Sequence, residues 1–240
     1  MLLAIVVVLV ATTLFDSQHT YLRNPRPSAV DILRQTSMLG IFAIGSAIVI
    51  IAGGIDLSSG SMITFSGTIC ASLMMLMAPE AMTRNQPLGT WVIVVACTAA
   101  IFSGFLVGSL HAWLITVVGL PPFVATLATL VGLRSLSRAL VAYVNKGSTQ
   151  IPIFDVGFRY LATSVWIPAV LCIVLAVLFW LVMSRTVVGR HLYALGGNEN
   201  AAKLSGIRTD RLKWLAYCIS AMLSAVAGIL HVAEVAVIEP

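Results

Sequence analysis

Polar groups interrupt an apolar stretch near the start of the sequence. Residues 51–61 read IAGGIDLSSGS, so glycines, serines and one aspartate stand where an apolar helix would otherwise continue. Glycine weakens a helix, and a carboxylate is costly in lipid. Non-helical backbone persists at membrane depth only where protein or a watery cavity surrounds it. The serine hydroxyls and the aspartate carboxylate of this stretch could form hydrogen bonds with a polar solute.

Two interpretations of this stretch are compatible. In the first, a helix broken near 53–61 lines a translocation path. In the second, the stretch is a tight cytoplasmic turn in which Asp56 or Ser58 caps the next helix. The candidate path residues are Gly53, Gly54, Asp56, Ser58, Ser59 and Ser61.

A second break is found at residues 119–123, which read GLPPF. Pro122 suits the first turn of a helix, because its missing N–H would have no helical partner there. Thr126 and Thr129 follow three residues apart on one helix face. They serve either helix packing or solute contact, and Phe123 and Pro122 join them as candidate path residues.

A basic connection follows a later apolar run. Residues 185–213 carry six Lys or Arg against two acids. The Gly196–Gly197 pair predicts a turn, Asn198 a helix N-cap with Glu199 at the positive helix start, and Gly206 a helix stop. A short helix near 198–206 could lie on the lipid surface or serve as a docking point for a cytoplasmic motor.

Several other polar or small residues have two interpretations each. Gly104 and Gly108 are typical of close helix packing. His111 is either a buried, hydrogen-bonded residue or a ligand. His231 and Glu234 are either interfacial residues or a proton relay. The sequence offers no metal-ligand cluster, nucleophile triad or phosphate-binding glycine loop, so we expect no catalytic residue, metal or bound cofactor.

The composition determines the class of protein that must position these residues. Of the 240 residues, 59% are hydrophobic and 10% are charged, and the mean hydropathy is +1.01. A soluble domain carries about 25% charged residues, so the composition argues against a soluble enzyme. The net charge of +5 arises from bases between apolar runs, which indicates membrane topology rather than nucleic-acid binding.

Apolar runs of about 20 residues predict membrane-spanning helices. The fold class is therefore all-α, a polytopic bundle of six to seven transmembrane helices. The predicted spans are Leu33–Ala52, Ser61–Ala78, Trp91–Val118, Pro122–Tyr143, Ser164–Met183 and Leu212–Ile238, with a shorter apolar run at Leu2–Phe15. Basic loops face the cytoplasm, which makes 185–211 a cytoplasmic loop.

Three motifs resemble those of bacterial ribose/xylose/arabinose/galactose-type ABC transporter permeases. Residues 53–61 resemble the GGIDLSVGS signature, with Ser59 in place of valine. Residues 121–129 resemble PPFIATLGT, with Ala128 where glycine is common. Residues 186–207 are similar to the cytoplasmic coupling loop, and within it Ala201, Ala202 and Gly206 match the AAxxxG core of the EAA loop.

The resemblance implies the membrane subunit of a monosaccharide importer in the bacterial cytoplasmic membrane. Two permease subunits would form the pore, and a sugar-binding protein would deliver the solute. Cytoplasmic ATPase subunits would bind and use ATP and would engage the coupling loop. The coupling residues are then Gly196, Gly197, Asn198, Glu199, Ala201, Ala202 and Gly206.

The resemblance leaves the substrate and the chain's extent open. The alternatives are a branched-chain amino-acid-type ABC permease, a proton-coupled secondary carrier and a non-transporting subunit that packs with a full-length paralogue. Permeases of this type continue beyond the position of Pro240, and the first apolar run is short. We therefore expect a single permease domain over 1–240 that is incomplete at its C-terminus and also at its N-terminus.

Overall fold

The computed structural model describes residues 2–15, 25–84 and 86–240. Almost all of this part of the chain is helical, which confirms the all-α prediction. The helices are α1 (Leu2–Phe15), α2 (Pro25–Ile51), α3 (Ser59–Met77), α4 (Pro79–Arg84), α5 (Thr90–Thr116), α6 (Pro122–Val144), α7 (Val156–Thr163), α8 (Trp166–Arg185), α9 (Val187–Gly197), α10 (Glu199–Leu204) and α11 (Thr209–Val235). Two short antiparallel strands are β1 (Ile151–Pro152) and β2 (Val237–Ile238).

Six of these helices are long and apolar enough to cross a membrane, namely α2, α3, α5, α6, α8 and α11. Helix α11 lies at the centre of the bundle and packs against α2, α3 and α5. In its most apolar stretch of 18 residues, 72% of the residues are buried. Helix α6 packs mainly on α3, and α8 packs mainly on α2. The predicted spans agree with the observed helices to within a few residues at most ends.

Small residues allow α5 to approach α11 closely. A Cβ added at Gly108 would lie 2.6 Å from Cys218 Cα, and one added at Gly104 would lie 2.7 Å from the Ala221 carbonyl oxygen. Backbones at this separation leave no space for side chains between them. The prediction that Gly104 and Gly108 serve close helix packing is confirmed.

The long helices alternate in direction, so their ends collect in two layers. At one end, the last turns of α2 and α5 meet the first turns of α6 and α11, together with α9 and α10. We call this the cytoplasmic end, because the basic loop lies there. At the opposite, outer end, β1 pairs with β2, and Asp155 accepts hydrogen bonds from the backbone N–H groups of Phe158 and Leu88.

An ion pair ties α2 to α11 at the outer end. Arg34 Nε donates to Glu234 Oε1 at 3.0 Å, and Arg34 Nη2 donates to Asp31 Oδ1 at 2.7 Å. Glu234 therefore has an arginine as its ionic partner, which gives no support to a His231–Glu234 proton relay. Helix α2 begins at Pro25, eight residues before the predicted span.

The structure corrects two boundaries. Gly196 and Gly197 do not form a turn, because they are the last residues of α9, whose Leu192 and Leu195 are buried in the bundle. Helix α11 ends at Val235 rather than at residue 238, because Ala236 adopts a left-handed conformation (φ 61°). The residues after Ala236 then form β2.

Candidate functional site

Helix α2 ends in a glycine turn at the cytoplasmic end of the bundle. Gly53 has φ 78°, its N–H donates to the Ile50 carbonyl at 2.9 Å, and the Gly54 N–H donates to the Val49 carbonyl at 2.9 Å. These two bonds form a Schellman motif, which satisfies the last carbonyls of the helix. The glycine pair is therefore a helix stop, and the chain continues as a non-helical segment to residue 58.

Asp56 makes the hydrogen bonds that hold this non-helical segment in place. Its Oδ1 accepts hydrogen bonds from the Ser58 N–H at 2.9 Å and the Ser58 hydroxyl at 2.6 Å, and its Oδ2 accepts from the Ser220 hydroxyl at 3.0 Å. Ser58 occupies the N-cap position of α3, but its side chain makes no capping bond. The prediction that Ser58 is the N-cap residue of α3 is therefore confirmed for its position, although its side chain does not cap the helix, and the break between α2 and α3 is centred on a hydrogen-bonded aspartate.

The broken segment reaches well into the bundle. Ser220 lies eleven residues into α11, about 16 Å from the start of that helix. One helical turn nearer the cytoplasmic end, Tyr217 Oη donates to the Ile55 carbonyl at 3.4 Å. A Cβ at Gly54 would lie 2.6 Å from the same Tyr217 oxygen. Gly54 thus gives Tyr217 room to lie against the segment.

His111 connects this region to α6. Its side chain is fully buried, and its Nε2 lies 2.6 Å from the Thr129 hydroxyl oxygen. The imidazole ring also meets the Tyr217 ring edge-on, with centroids 6.1 Å apart. The interpretation of His111 as a buried, hydrogen-bonded residue is confirmed.

Several predicted path residues are enclosed by protein. The Ser61 hydroxyl donates to the Ser58 carbonyl at 2.7 Å, and the Thr126 hydroxyl donates to the Pro122 carbonyl at 2.9 Å. These hydroxyls satisfy local backbone in this conformation and do not face open space. The buried members of the set are Ser58, Ser59, Ser61 and Thr126, whereas Phe123 is exposed.

A cleft of about 520 Å³ opens at the cytoplasmic end. It brings together the glycine turn of α2, the double proline before α6, and the α9–α10 junction. Of the predicted residues, it is lined by Gly53, Gly54, Pro122, Gly196, Gly197, Asn198 and Glu199. Sequence reasoning missed Lys213 and Tyr217, which also line it. Nothing in the periodicity of the last span distinguished them.

The short helix α10 has a defined start and a defined stop. Asn198 Oδ1 accepts from the Ala201 N–H at 3.0 Å, which confirms the predicted N-cap. At the other end Gly206 has φ 79°, and the N–H groups of Gly206 and Ile207 donate to the carbonyls of Lys203 and Ala202. This is a second Schellman motif, so the predicted helix stop at Gly206 is also confirmed. Ala202 is buried.

Charge fixes α10 against the start of α11. Both carboxylate oxygens of Glu199 accept from Lys213 Nζ at 2.8 Å, and Lys203 Nζ lies 2.9 Å from Glu199 Oε1. The hydrogen bond from Lys213, followed by the weaker interactions with Lys203, lowers the pKa of Glu199 below its ordinary value. The carboxylate in turn raises the pKa of Lys203.

The glycine turn and the end of α9 touch directly. A Cβ at Gly53 would lie 3.3 Å from Gly196 Cα, and a Cβ at Gly196 would lie 3.2 Å from the Gly53 nitrogen and overlap the Ile51 carbonyl oxygen. The cytoplasmic loop therefore rests on the backbone of the broken helix. No group of three or more His, Cys, Asp or Glu in the described ranges is placed to hold a metal ion.

The structure combines a broken helix with a capped cytoplasmic helix, and the sequence also matches a known protein family. A family model described as "Branched-chain amino acid transport system / permease component" matches residues 28–240. The chain belongs to this permease family. Together with the six helices of the described residues that are long and apolar enough to cross a membrane, this makes it a multi-pass protein of the plasma membrane.

Three curated relatives of this permease come from Escherichia coli K12. The ribose import permease protein is 31% identical over 88% of this chain and 62% of its own length. The galactofuranose transporter permease protein is 30% identical over 87% of the chain and 57% of its own length. The D-allose transport system permease protein is 27% identical over 87% and 60%. The chain thus spans about three fifths of the relatives it matches, and no solved structure matches it.

Proposed function

We propose that this chain is the membrane-spanning permease subunit of an ATP-binding cassette importer that translocates a monosaccharide. The observation that carries the proposal is the contact of Gly196 with Gly53, which seats the cytoplasmic helices on the broken helix. A loop bound by a cytoplasmic motor would then act directly on the segment that carries Asp56. The relatives named as ribose, galactofuranose and allose permeases support the substrate class.

The proposed mechanism is a rigid-body displacement. A cytoplasmic ATPase subunit engages the coupling loop, including α10, and ATP binding and hydrolysis take place in that partner. Helix α10 is capped at both ends and linked to α11 through Glu199 and Lys213, so it moves as a unit. Because Gly196 contacts Gly53, the displacement of the loop moves the non-helical segment that follows α2. The hydrogen bond from Ser220 to Asp56 then couples this segment to α11.

The remaining partners follow from the same proposal. A second permease subunit completes the pore, because one bundle of this size exposes most of α6 and α8. A sugar-binding protein delivers the solute to the outer end. The hydroxyl-rich segment of Ser58, Ser59 and Ser61 becomes available to sugar hydroxyls when the bundle opens.

A branched-chain amino acid is the second candidate substrate, since the matching family's description names that class. The two candidates differ chemically. A sugar needs many hydrogen-bond donors and acceptors, whereas a branched-chain amino acid needs an apolar pocket and a partner for each of its two charges. The polar segment of 56–61 favours the sugar.

The test is a reconstitution with a candidate ABC ATPase subunit. Both are co-purified from membranes and placed in lipid, and ATP hydrolysis is measured after adding the cognate binding protein loaded with ribose, allose, galactofuranose or leucine. A stimulated complex supports the importer, and the stimulating ligand names its substrate. If the inserted chain retains no ATPase under conditions in which a full-length relative does, the proposal for this chain is wrong.

A further inference from the structure

A groove outside the proposed path runs between α5 and the first turns of α11. Its volume is about 580 Å³, and its lining is mostly apolar. Phe105 and Val117 form one side, and Trp214, Leu215 and Cys218 form the other. Trp214 and Leu215 are each more than one third exposed, so the groove is open at the exposed side of the bundle.

The length of the groove matches one leaflet of a bilayer. On α5 the lining extends from Thr116 at the cytoplasmic end to Phe105, eleven residues away. At 1.5 Å per residue this distance is about 16 Å, and half of the hydrocarbon core is about 15 Å. A helix of a protein partner would cross both leaflets, whereas this groove stops near the middle.

The cytoplasmic end of the groove is cationic. Arg211 lines the groove and also lines an adjoining depression of about 450 Å³, which Arg208 and His191 share. Within the described part of the chain, the ion pairs include neither arginine. One acid, Asp210, lies at the rim, so the two arginines leave an excess of positive charge at the level of lipid headgroups.

We propose that this groove binds one anionic glycerophospholipid from the cytoplasmic leaflet. An acyl chain lies between Phe105 and Leu215, and the phosphate group contacts Arg211 and Arg208. Basic pockets between membrane helices on the cytoplasmic side bind acidic headgroups in this manner. A second copy of this chain fits poorly in a symmetric contact, because it would bring the same arginines toward each other.

The first experiment counts bound lipid. The purified chain is reconstituted in nanodiscs of phosphatidylcholine with or without phosphatidylglycerol, released, and examined by native mass spectrometry. We expect one phosphatidylglycerol to be retained per chain in preference to phosphatidylcholine. The double variant Arg208→Gln, Arg211→Gln should weaken retention about 30-fold, since each arginine near the surface contributes about fivefold. Arg134→Gln, at an exposed arginine of α6 that lines neither the groove nor the adjoining depression, is the matched control.

The second experiment tests the acyl-chain part of the groove. Leu215→Trp fills the groove and should reduce phosphatidylglycerol retention, whereas Val174→Trp on the exposed face of α8 should not. Circular dichroism confirms that both variants keep their helices. Glycerol phosphate should not compete, because it lacks the acyl chain.

Three results would overturn the proposal: equal retention of both lipids, equal loss in Arg134→Gln, or competition by glycerol phosphate. A change of oligomeric state in Leu215→Trp with lipid retention unaltered would assign the groove to a second copy and would also overturn it. None of these outcomes depends on transport activity.

Discussion

Gly196, at the end of α9, lies against Gly53, the left-handed residue that ends α2, with no side chain between the two backbones. A Cβ at Gly196 would overlap the Ile51 carbonyl oxygen and approach the Gly53 nitrogen to 3.2 Å. Gly53 is held at φ 78° by the Schellman turn. The cytoplasmic loop and the broken helix therefore share a contact that tolerates no added atom on one side.

This contact predicts different effects for substitutions at two neighbouring glycines. Gly196→Ala should separate α9 from the α2 turn and cost about 1–3 kcal/mol of stability, the usual range for overpacking. In the proposed complex, binding-protein-stimulated ATP hydrolysis should fall several-fold. Gly197→Ala is the matched control, because nothing lies within 4 Å of a Cβ there. Thermal unfolding in detergent and stimulated ATPase activity are the two measurements. Equal behaviour of the two variants would remove the contact from the mechanism.

The Glu199–Lys213 pair predicts a pH-dependent anchor for α10. Because the pKa of Glu199 is lowered in the folded state, the pair contributes stability above the ordinary glutamate pKa of about 4.3 and loses it as the pH falls through the lowered value. The partly exposed pair is worth at most about 1 kcal/mol. Glu199→Gln should therefore raise hydrogen exchange in α10 at neutral pH and converge with the wild type in acid.

Glu199→Lys should go further, since it places three lysines together. We expect ATPase co-purification to decrease while membrane insertion is unchanged. Glu80→Gln, at an exposed carboxylate of α4, is the control. Undiminished recovery of the ATPase with Glu199→Lys would show that α10 does not dock the motor.

Asp56 predicts a larger effect within the bundle. Asp56→Leu removes the acceptor of the Ser58 N–H, the Ser58 hydroxyl and the Ser220 hydroxyl, and hydrogen bonds to a charged group contribute about 1.5–3 kcal/mol each. Unfolding should occur at lower temperature, and solute uptake by the proposed importer should be lost. Ser220→Ala removes one of these bonds and should cost about 1.5–3 kcal/mol. Normal uptake by Asp56→Leu would restrict Asp56 to a local structural role.

The sequence predicted the spans because hydropathy and length alone determine which segments cross a bilayer. It also predicted the α10 caps, since Asn198 and Gly206 act through their own local backbone geometry. The position of Gly196 could not be predicted in this way. A glycine pair is typical of a turn, but the burial of Leu192 and Leu195 and the approach of Ile51 keep the chain helical.

The polar site, too, could be predicted from the sequence only in part. The break at residues 53–58 was visible in composition, whereas the partners of Asp56 were not. Ser220 and Tyr217 come from a helix more than 160 residues later in the chain, and an apolar helix with occasional polar residues gives no sign of which face meets which neighbour. Lys213 was counted only as a basic residue for topology, and its bond to Glu199 depends on how α10 folds back on α11.

The close approach of α5 to α11 gives a prediction that requires no partner protein. Gly108→Val should push α5 away from Cys218, because even a Cβ would lie 2.6 Å from Cys218 Cα. The expected cost is about 1–3 kcal/mol, with a lower unfolding temperature in detergent. Gly132→Val on α6 is the matched control, since no heavy atom lies within 4 Å of a Cβ there.

Both substitutions place the same β-branched side chain in a membrane-spanning helix, so both change helix propensity equally. The difference between their unfolding temperatures therefore reports the effect on packing. In lipid, helices associate through close van der Waals contact rather than a hydrophobic driving force. Loss of the α5–α11 contact should therefore also raise hydrogen exchange in the cytoplasmic half of α11. If Gly108→Val and Gly132→Val unfold at the same temperature, the other neighbours of α11 hold it in place, and the glycine pair of α5 does not determine its position.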